Sequence, residues 1–270
     1  MKAGIDFGST LVKAVWKREG KYEFLSTADV PLDELARKLN EGGVTRVNRA
    51  GIGYSDDLAE RFKGFEVKTV DGDPITLEKR LQVKGAKELM EDGPSNFALV
   101  SIGTGTSYTL RKWCLTIPIP IGNSLSGGFL EGIGKSLGLE DYQEMSRLAS
   151  KGTPLNIYVR DALPHTEGTV VGDYVIAHFA KADKDSTPQD VLATAIDVIG
   201  ATTVKDLALL SAASRLFKWT DDIVYVGSTI SRFPTLRDSL TKYTAMLGRK
   251  PHFPEHGEFA LAMGAYHMME

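Results

Sequence analysis

The chain has 270 residues, 42% of them hydrophobic and 25% charged, a make-up that suits one large or two modest globular domains with a substantial core. A formal net charge of −3 and a pI near 6.0 argue against nonspecific binding to nucleic acid or to an anionic membrane. A single cysteine, Cys114, excludes an internal disulfide framework and a cysteine-rich zinc site, and its apolar neighbours read as those of a packing residue rather than a nucleophile.

Met1 leads almost directly into a strand pattern, with no basic-then-apolar leader. No apolar run approaches the roughly 18 residues of a membrane span. The expectation is a cytoplasmic protein.

In chain order, an apolar run to Asp6 and Phe7 meets a Gly8-Ser9-Thr10 turn, and a second run, Leu11 to Trp16, completes a β-hairpin. Tyr22 to Ser26 reads as a third strand. Pro31 to Leu39 is a helix, Val44 to Gly53 a strand running into a Gly-Ile-Gly turn, and Asp56 to Phe62 a short helix. Phe65 to Val70 is a strand, and Asp73-Pro74 opens a helix to about Met90. Glu91-Asp92-Gly93-Pro94-Ser95 is the clearest boundary in the chain.

A second round begins with the apolar strand Phe97 to Ile102, the turn Gly103-Thr104-Gly105-Thr106-Ser107, and a strand from Tyr108 to Arg111. A segment broken by Pro118 and Pro120 follows, then a Gly/Ser stretch that ends in Gly127 and Gly128, then a helix to about Leu137. Residues 150–186 carry no regular pattern. From Thr187-Pro188, apolar residues recur at spacings of three and four, Leu192 through Leu210 to Ser214 and Phe217, a buried helix with a possible kink position at Gly200. Ile223 to Val226 is a third strand running into a Gly227-Ser228-Thr229 turn. The last helix, Glu258 to Met269, holds Ala260, Ala262, Gly264 and Ala265, which permit close packing.

The chemistry sits in the turns. Exposed amides and hydroxyls of a Gly/Ser/Thr turn can hold phosphate oxygens, and Asp6 just before the first turn is placed for a divalent metal or its water shell. In isolation an ordinary hairpin with a turn-initiating Asp reads the same way. Three such strand-ending turns match the separate γ-phosphate, β-phosphate and nucleoside contacts that one nucleotide needs. Gly134-Lys135-Ser136 imitates the end of a P-loop, but Phe129 stands where its first glycine belongs and no strand precedes it, so Lys135 reads as a solvated helix residue.

These residues carry a resemblance. Gly4 to Lys13, Gly103 to Ser107, Ile223 to Ser228, and Gly257-Glu258-Phe259 with Gly264-Ala265 resemble motifs of the acetate and sugar kinase, heat-shock ATPase and actin superfamily. Within it the chain is similar to the type II pantothenate kinases over nearly its whole length. The resemblance implies an α/β fold of two ribonuclease-H-like domains, residues 1–93 and 94–270, with the last helix packing back across and a nucleotide cleft between the domains. It implies ATP and Mg²⁺ as cofactors, phosphorylation of pantothenate in coenzyme A biosynthesis, and a homodimer. Asp6 would hold the metal-bound water. Gly8, Ser9, Thr10 and Lys13 would meet the γ-phosphate side, Gly103, Thr104, Gly105, Thr106 and Ser107 the β-phosphate side, and Gly227 and Ser228 the nucleoside, with Gly127 and Gly128 also at the nucleotide. Glu78, followed by Val83-Lys84-Gly85, stands where that family has its catalytic base. Without the resemblance it would read as an exposed helix carboxylate.

The chain departs from the family on the acceptor side. Ile119 falls where the resemblance calls for an arginine, and Gly172-Asp173-Tyr174-Val175-Ile176-Ala177 replaces a Gly-Asp-Leu-Thr-Ala segment. Losing a bidentate cation is not a neutral change. Pantothenate is therefore expected to bind weakly, or another alcohol to be preferred, unless Arg111 or Lys112 substitutes. A kinase with a different small-alcohol acceptor and a non-catalytic ATP-binding paralogue are the alternatives.

Overall fold

The computed structural model describes residues 1–69, 73–213 and 220–268. The first half builds β1 (Lys2–Phe7), β2 (Val12–Arg18), β3 (Lys21–Ser26), α1 (Leu32–Glu41), β4 (Arg46–Ala50), α2 (Asp56–Arg61), β5 (Glu66–Thr69) and α3 (Pro74–Leu89). The second builds β6 (Phe97–Ile102), β7 (Thr106–Lys112), β8 (Leu115–Pro118), α4 (Gly127–Ser136), α5 (Tyr142–Ala149), β9 (Ile157–Tyr158), α6 (Val159–Ala162), β10 (Val175–Ala177) and α7 (Pro188–Ala213). It ends with β11 (Asp222–Val226), α8 (Ser228–Arg232), α9 (Pro234–Met246), β12 (Lys250–His252) and α10 (Ala260–Tyr266). Val70, Ser214, Phe217 and Met269, expected in a strand and two helices, lie outside the described residues.

Two five-stranded sheets share one plan. The orders β3-β2-β1-β4-β5 and β8-β7-β6-β11-β12 each join a three-stranded antiparallel meander to two strands parallel to its first. Each sheet is covered on both faces, which is why β1 and β6 read as nearly unbroken apolar runs. Ala3, Ile5 and Phe7 pack with Leu35, Leu39 and Phe62 under α1 and α2. Ala98, Val100 and Ile102 face a larger core made with α4, α5, α7 and α9.

The remaining faces meet through two helices that have changed sides. Val83 and Ala86 of α3, a first-half helix, pack on Phe97, Leu99, Val224 and Val226 of the second sheet. Ala262 and Met263 of α10, the last helix, pack on Val15 of the first. The two helices cross backbone to backbone. A Cβ at Gly85 would lie 1.8 Å from the Ala260 carbonyl oxygen, one at Gly264 1.9 Å from that of Leu81, and one at Gly4 2.1 Å from that of Ala262. Only glycine permits these approaches.

Several expectations change. Cys114 is exposed, because the chain turns at Trp113 with a positive φ of 52° and carries it out at the tip of the β7–β8 hairpin. Rather than one apolar face, α7 buries every residue from Leu192 to Gly200, since α5 and α9 pack on it as well as the sheet. Gly200 does not interrupt α7. Its missing side chain instead admits Ser239 of α9, whose Oγ would lie 2.2 Å from a Cβ there. Asp197 in the same stretch is buried but bonded, accepting from Asn156 Nδ2 at 2.7 Å, Tyr243 OH at 2.8 Å and Ser239 Oγ at 3.2 Å. Among the described residues, no helix is long and apolar enough to cross a membrane.

Candidate active site

A cleft of about 360 Å³ opens between the two sheets, within the range of small-molecule sites. All fifteen singled-out residues line it: Asp6, Gly8, Ser9, Thr10, Lys13, Glu78, Gly103 to Ser107, Gly127, Gly128, Gly227 and Ser228. Strand alternation explains the first of them. With Ala3, Ile5 and Phe7 committed to one face of β1, Gly4 and Asp6 take the other, against α10 and the cleft.

Lys13 is the register partner of Asp6 across the β1–β2 hairpin, and its Nζ donates to Asp6 Oδ2 at 3.1 Å. Asp6 is only 6% exposed. Burial pushes its carboxyl above the usual range, outweighing Lys13, and the nearby Glu78 carboxylate pushes the same way. Gly51, from the Gly-Ile-Gly turn, lies against this group at φ +88°, where a Cβ would sit 2.8 Å from Asp6 Oδ1.

The second turn is braced from three sides. The Gly103 carbonyl accepts from Gly127 N at 3.0 Å, Ser126 Oγ at 2.9 Å and Thr229 Oγ1 at 3.0 Å, and Gly128 N donates to Thr104 O at 2.9 Å. The Gly127 and Gly128 amides are thus spent on the turn, so these residues give the cleft room rather than donors. Thr106 and Asn123 exchange backbone bonds, both at 2.9 Å, and Asp206 of α7 accepts from Asn123 Nδ2 and Tyr108 OH, both at 2.8 Å. At the third turn Gly227 has φ +116°, and a Cβ would meet the Ile102 carbonyl oxygen at 2.3 Å. Thr10 Oγ1 of the first turn reaches Thr104 Oγ1 of the second at 3.3 Å. The three turns therefore converge on one space.

Glu78 is a half-buried cleft residue, not an exposed helix carboxylate. Its Oε1 accepts from Lys79 Nζ at 3.2 Å and Gln82 Nε2 at 3.4 Å. Among the described residues no group of three or more His, Cys, Asp or Glu could hold a metal ion. The donor set suits Mg²⁺ only as that ion is held beside a nucleotide, by one carboxylate with water and phosphate oxygens completing the shell. Asp6 fits that requirement.

No family model matches the chain. Its sequence is 29% identical over 275 residues to the type II pantothenate kinase of Staphylococcus aureus strain USA300, with 99% of each chain covered. The counterpart from the bovine strain RF122 / ET3-1 is equally similar, 29% identical with 99% of each covered. The similarity to these type II pantothenate kinases runs over the full length of the chain.

Solved structures show the fold. The activator of the 2-hydroxyisocaproyl-CoA dehydratase from Clostridium difficile, with ADPNP bound, matches at a TM-score of 0.60 and 15% identity, over 98% of this chain and 92% of its own. Component A of the Acidaminococcus fermentans (R)-2-hydroxyglutaryl-CoA dehydratase matches at 0.60 and 14%, over 98% and 95%. The architecture is that of the two-domain actin-like ATPases.

Set beside the pantothenate kinase relatives, the acceptor side differs from expectation. Ile119 does not line the cleft; it packs with Ile117 against the core of the second sheet, and its N–H donates to Tyr108 O at 3.0 Å. Arg111 and Lys112 stand at the far end of β7, beside Asp221 and Asp222, and neither lines the cleft. Ile119→Arg is accordingly expected to lower stability by about 1–3 kcal/mol, a charge forced onto apolar contacts, without tightening any acceptor. Urea denaturation together with the pantothenate KM checks this; a stable variant with a lower KM would show that position 119 faces the acceptor after all.

Sequence reading missed Lys79, Gln82, Tyr142 and Arg232, all cleft-lining. Arg232 lies over the Tyr142 ring at 4.3 Å, and the Tyr142 hydroxyl donates to Glu131 Oε2 at 2.8 Å, making a flat polar-edged wall. The signal for Gln82 was available, since it follows Glu78 by four positions on a helix and four residues bring a side chain back to the same face.

Proposed function

We propose that the chain phosphorylates pantothenate to 4′-phosphopantothenate with ATP, a step of coenzyme A biosynthesis. The full-length relationship to type II pantothenate kinases carries the reading. The convergence of the three turns with Asp6 and Glu78 supports it. In this reading Gly8, Ser9, Thr10 and Lys13 receive the γ-phosphate side, Gly103 to Ser107 the β-phosphate side, and Gly227 and Ser228 the nucleoside. The Arg232–Tyr142 wall lies beside the nucleoside side, and Gly127 and Gly128 keep the passage open.

Glu78 takes the proton of the acceptor's primary hydroxyl as that oxygen bonds to the γ-phosphorus and the bond to the β–γ bridging oxygen breaks, releasing ADP. A magnesium ion bound with the nucleotide would neutralise charge on its phosphates, and Asp6 would hold it through water. Lys13 fixes the Asp6 carboxylate in place. A homodimer and a cytoplasmic site belong to the same reading.

With Ile119 on the core and neither Arg111 nor Lys112 lining the cleft, no cation of this segment meets an acceptor there, which favours a second reading, a kinase of the same reaction class acting on a different small alcohol. ATP consumption screened over a panel of primary alcohols separates the two. Turnover on pantothenate above all others supports the first reading, and turnover on another alcohol alone supports the second.

Magnesium-ATP is expected to raise the melting temperature. A ligand at a hundredfold excess over its dissociation constant stabilises by about 2.7 kcal/mol when it binds only the native state. A melting curve unmoved by millimolar magnesium-ATP would remove the nucleotide reading altogether.

A further inference from the structure

α3 sends three polar side chains into the cleft, Glu78, Lys79 and Gln82. Lys79 is the middle of a small lattice. Its Nζ donates to Ser107 Oγ at 2.8 Å, to Glu78 Oε1 at 3.2 Å and, more loosely, to Gln82 Oε1 at 3.5 Å. Gln82 Nε2 returns to the same Glu78 oxygen at 3.4 Å. The lysine side chain is only 14% exposed, so its charge needs these partners.

Two features of the lattice bear on transfer. Both donors converge on Oε1 of Glu78, and neither engages Oε2. A carboxylate clamped through one oxygen has its other oxygen aimed, which is what a proton acceptor requires. In addition, Ser107 belongs to β7 of the second sheet, whereas Glu78 rides on a helix from the first half of the chain. Lys79 is therefore the strut that sets the carboxylate at a fixed distance from the second turn. The cleft also holds a matching pair, Lys13 on Asp6, so each carboxylate has its own lysine although the two repel.

We propose that Lys79 is a positioning residue for phosphoryl transfer, holding Glu78 by Oε1 and tying it to Ser107 so that Oε2 faces the acceptor hydroxyl. The proposal rests on the reading of Glu78 as the base. It requires Lys79 to act through Glu78, not directly on ATP.

Lys79→Met keeps the length of the side chain and removes its charge. It is expected to lower kcat roughly tenfold to a hundredfold, the range for a misplaced reacting group, with the KM for ATP little changed. Lys79→Arg should recover most of the loss. In a Glu78→Gln background, Lys79→Met should lower the residual rate no further. An unchanged kcat, a loss confined to the KM for ATP, or losses that multiply in the double variant would each overturn the proposal. Should Glu78→Gln itself retain full activity, the base assignment falls, and the positioning role with it. A substrate-free arm, urea denaturation of Lys79→Met, Ser107→Ala and the pair, should show non-additive losses. Strict additivity would mean that the strut is not formed, and would overturn the proposal whether or not any acceptor is turned over.

Discussion

Glu78→Gln is expected to lower kcat between a hundredfold and ten-thousandfold, the span that general acid–base catalysis supplies. The substitution is unusually clean in this setting. A glutamine amide oxygen can still accept from Lys79 and Gln82, so the side chain keeps its place and loses only its capacity to take a proton. Stability and the thermal shift with magnesium-ATP should therefore survive while turnover collapses. Steady-state rates with a melting curve of the same preparation provide the check. A loss smaller than about tenfold would remove Glu78 as the base, and a collapse of both rate and fold would reassign it to structure.

Gly264→Val is the largest stability effect to be expected. A side chain at this position meets the Leu81 carbonyl at 1.9 Å, and α10 cannot retreat because Gly4 of β1 touches it from the opposite side. Overpacking costs about 1–3 kcal/mol where neighbours can yield. Here all the neighbours are backbone, and a loss of about 3 kcal/mol or more is expected, a large part of the roughly 5–15 kcal/mol that holds a typical protein folded. Gly264→Ala should fall between the two. Urea midpoints of the three proteins decide it. An unchanged midpoint for the valine variant would mean that α3 and α10 do not cross at this point.

The two sheets were legible in the sequence because their central strands, Ala3 to Phe7 and Phe97 to Ile102, are apolar runs cut off by glycine-rich turns. The helix from Pro74 was legible through Asp73, whose carboxylate accepts from Thr76 N at 2.7 Å. Several of the shortest elements were not. α5 has only Met145 and Ala149 buried, too little for a period. β8 and β12 each contain a proline and sit at sheet edges, where a strand needs partners on one side only. α9 is a different case, since Leu236, Leu240 and Tyr243 do follow helical spacing.

At the site, the turns announce themselves by composition and the structure brings them together. Lys79 could not be separated from a solvated lysine, because its partner Ser107 is 28 residues away. Ile119 shows the converse. Ile117 and Ile119 alternate as inward residues of a strand edge do, and that local pattern was a better guide to where Ile119 points than its place in a family motif.

The exchange of α3 and α10 between the sheets has a consequence for how the chain is made. Synthesis runs from Met1 onward, so the first sheet exists as a nascent polypeptide long before the residues that cover its inner face. Until Ala260–Tyr266 has left the ribosome, Gly4 and Val15 face water or a chaperone, and α3 waits for a second sheet not yet translated. Neither half can close first. The cleft is completed by α10, which is made after every other described element, so a ribosome stalled short of that helix holds the first turn and Glu78 without the crossing that fixes them to one another.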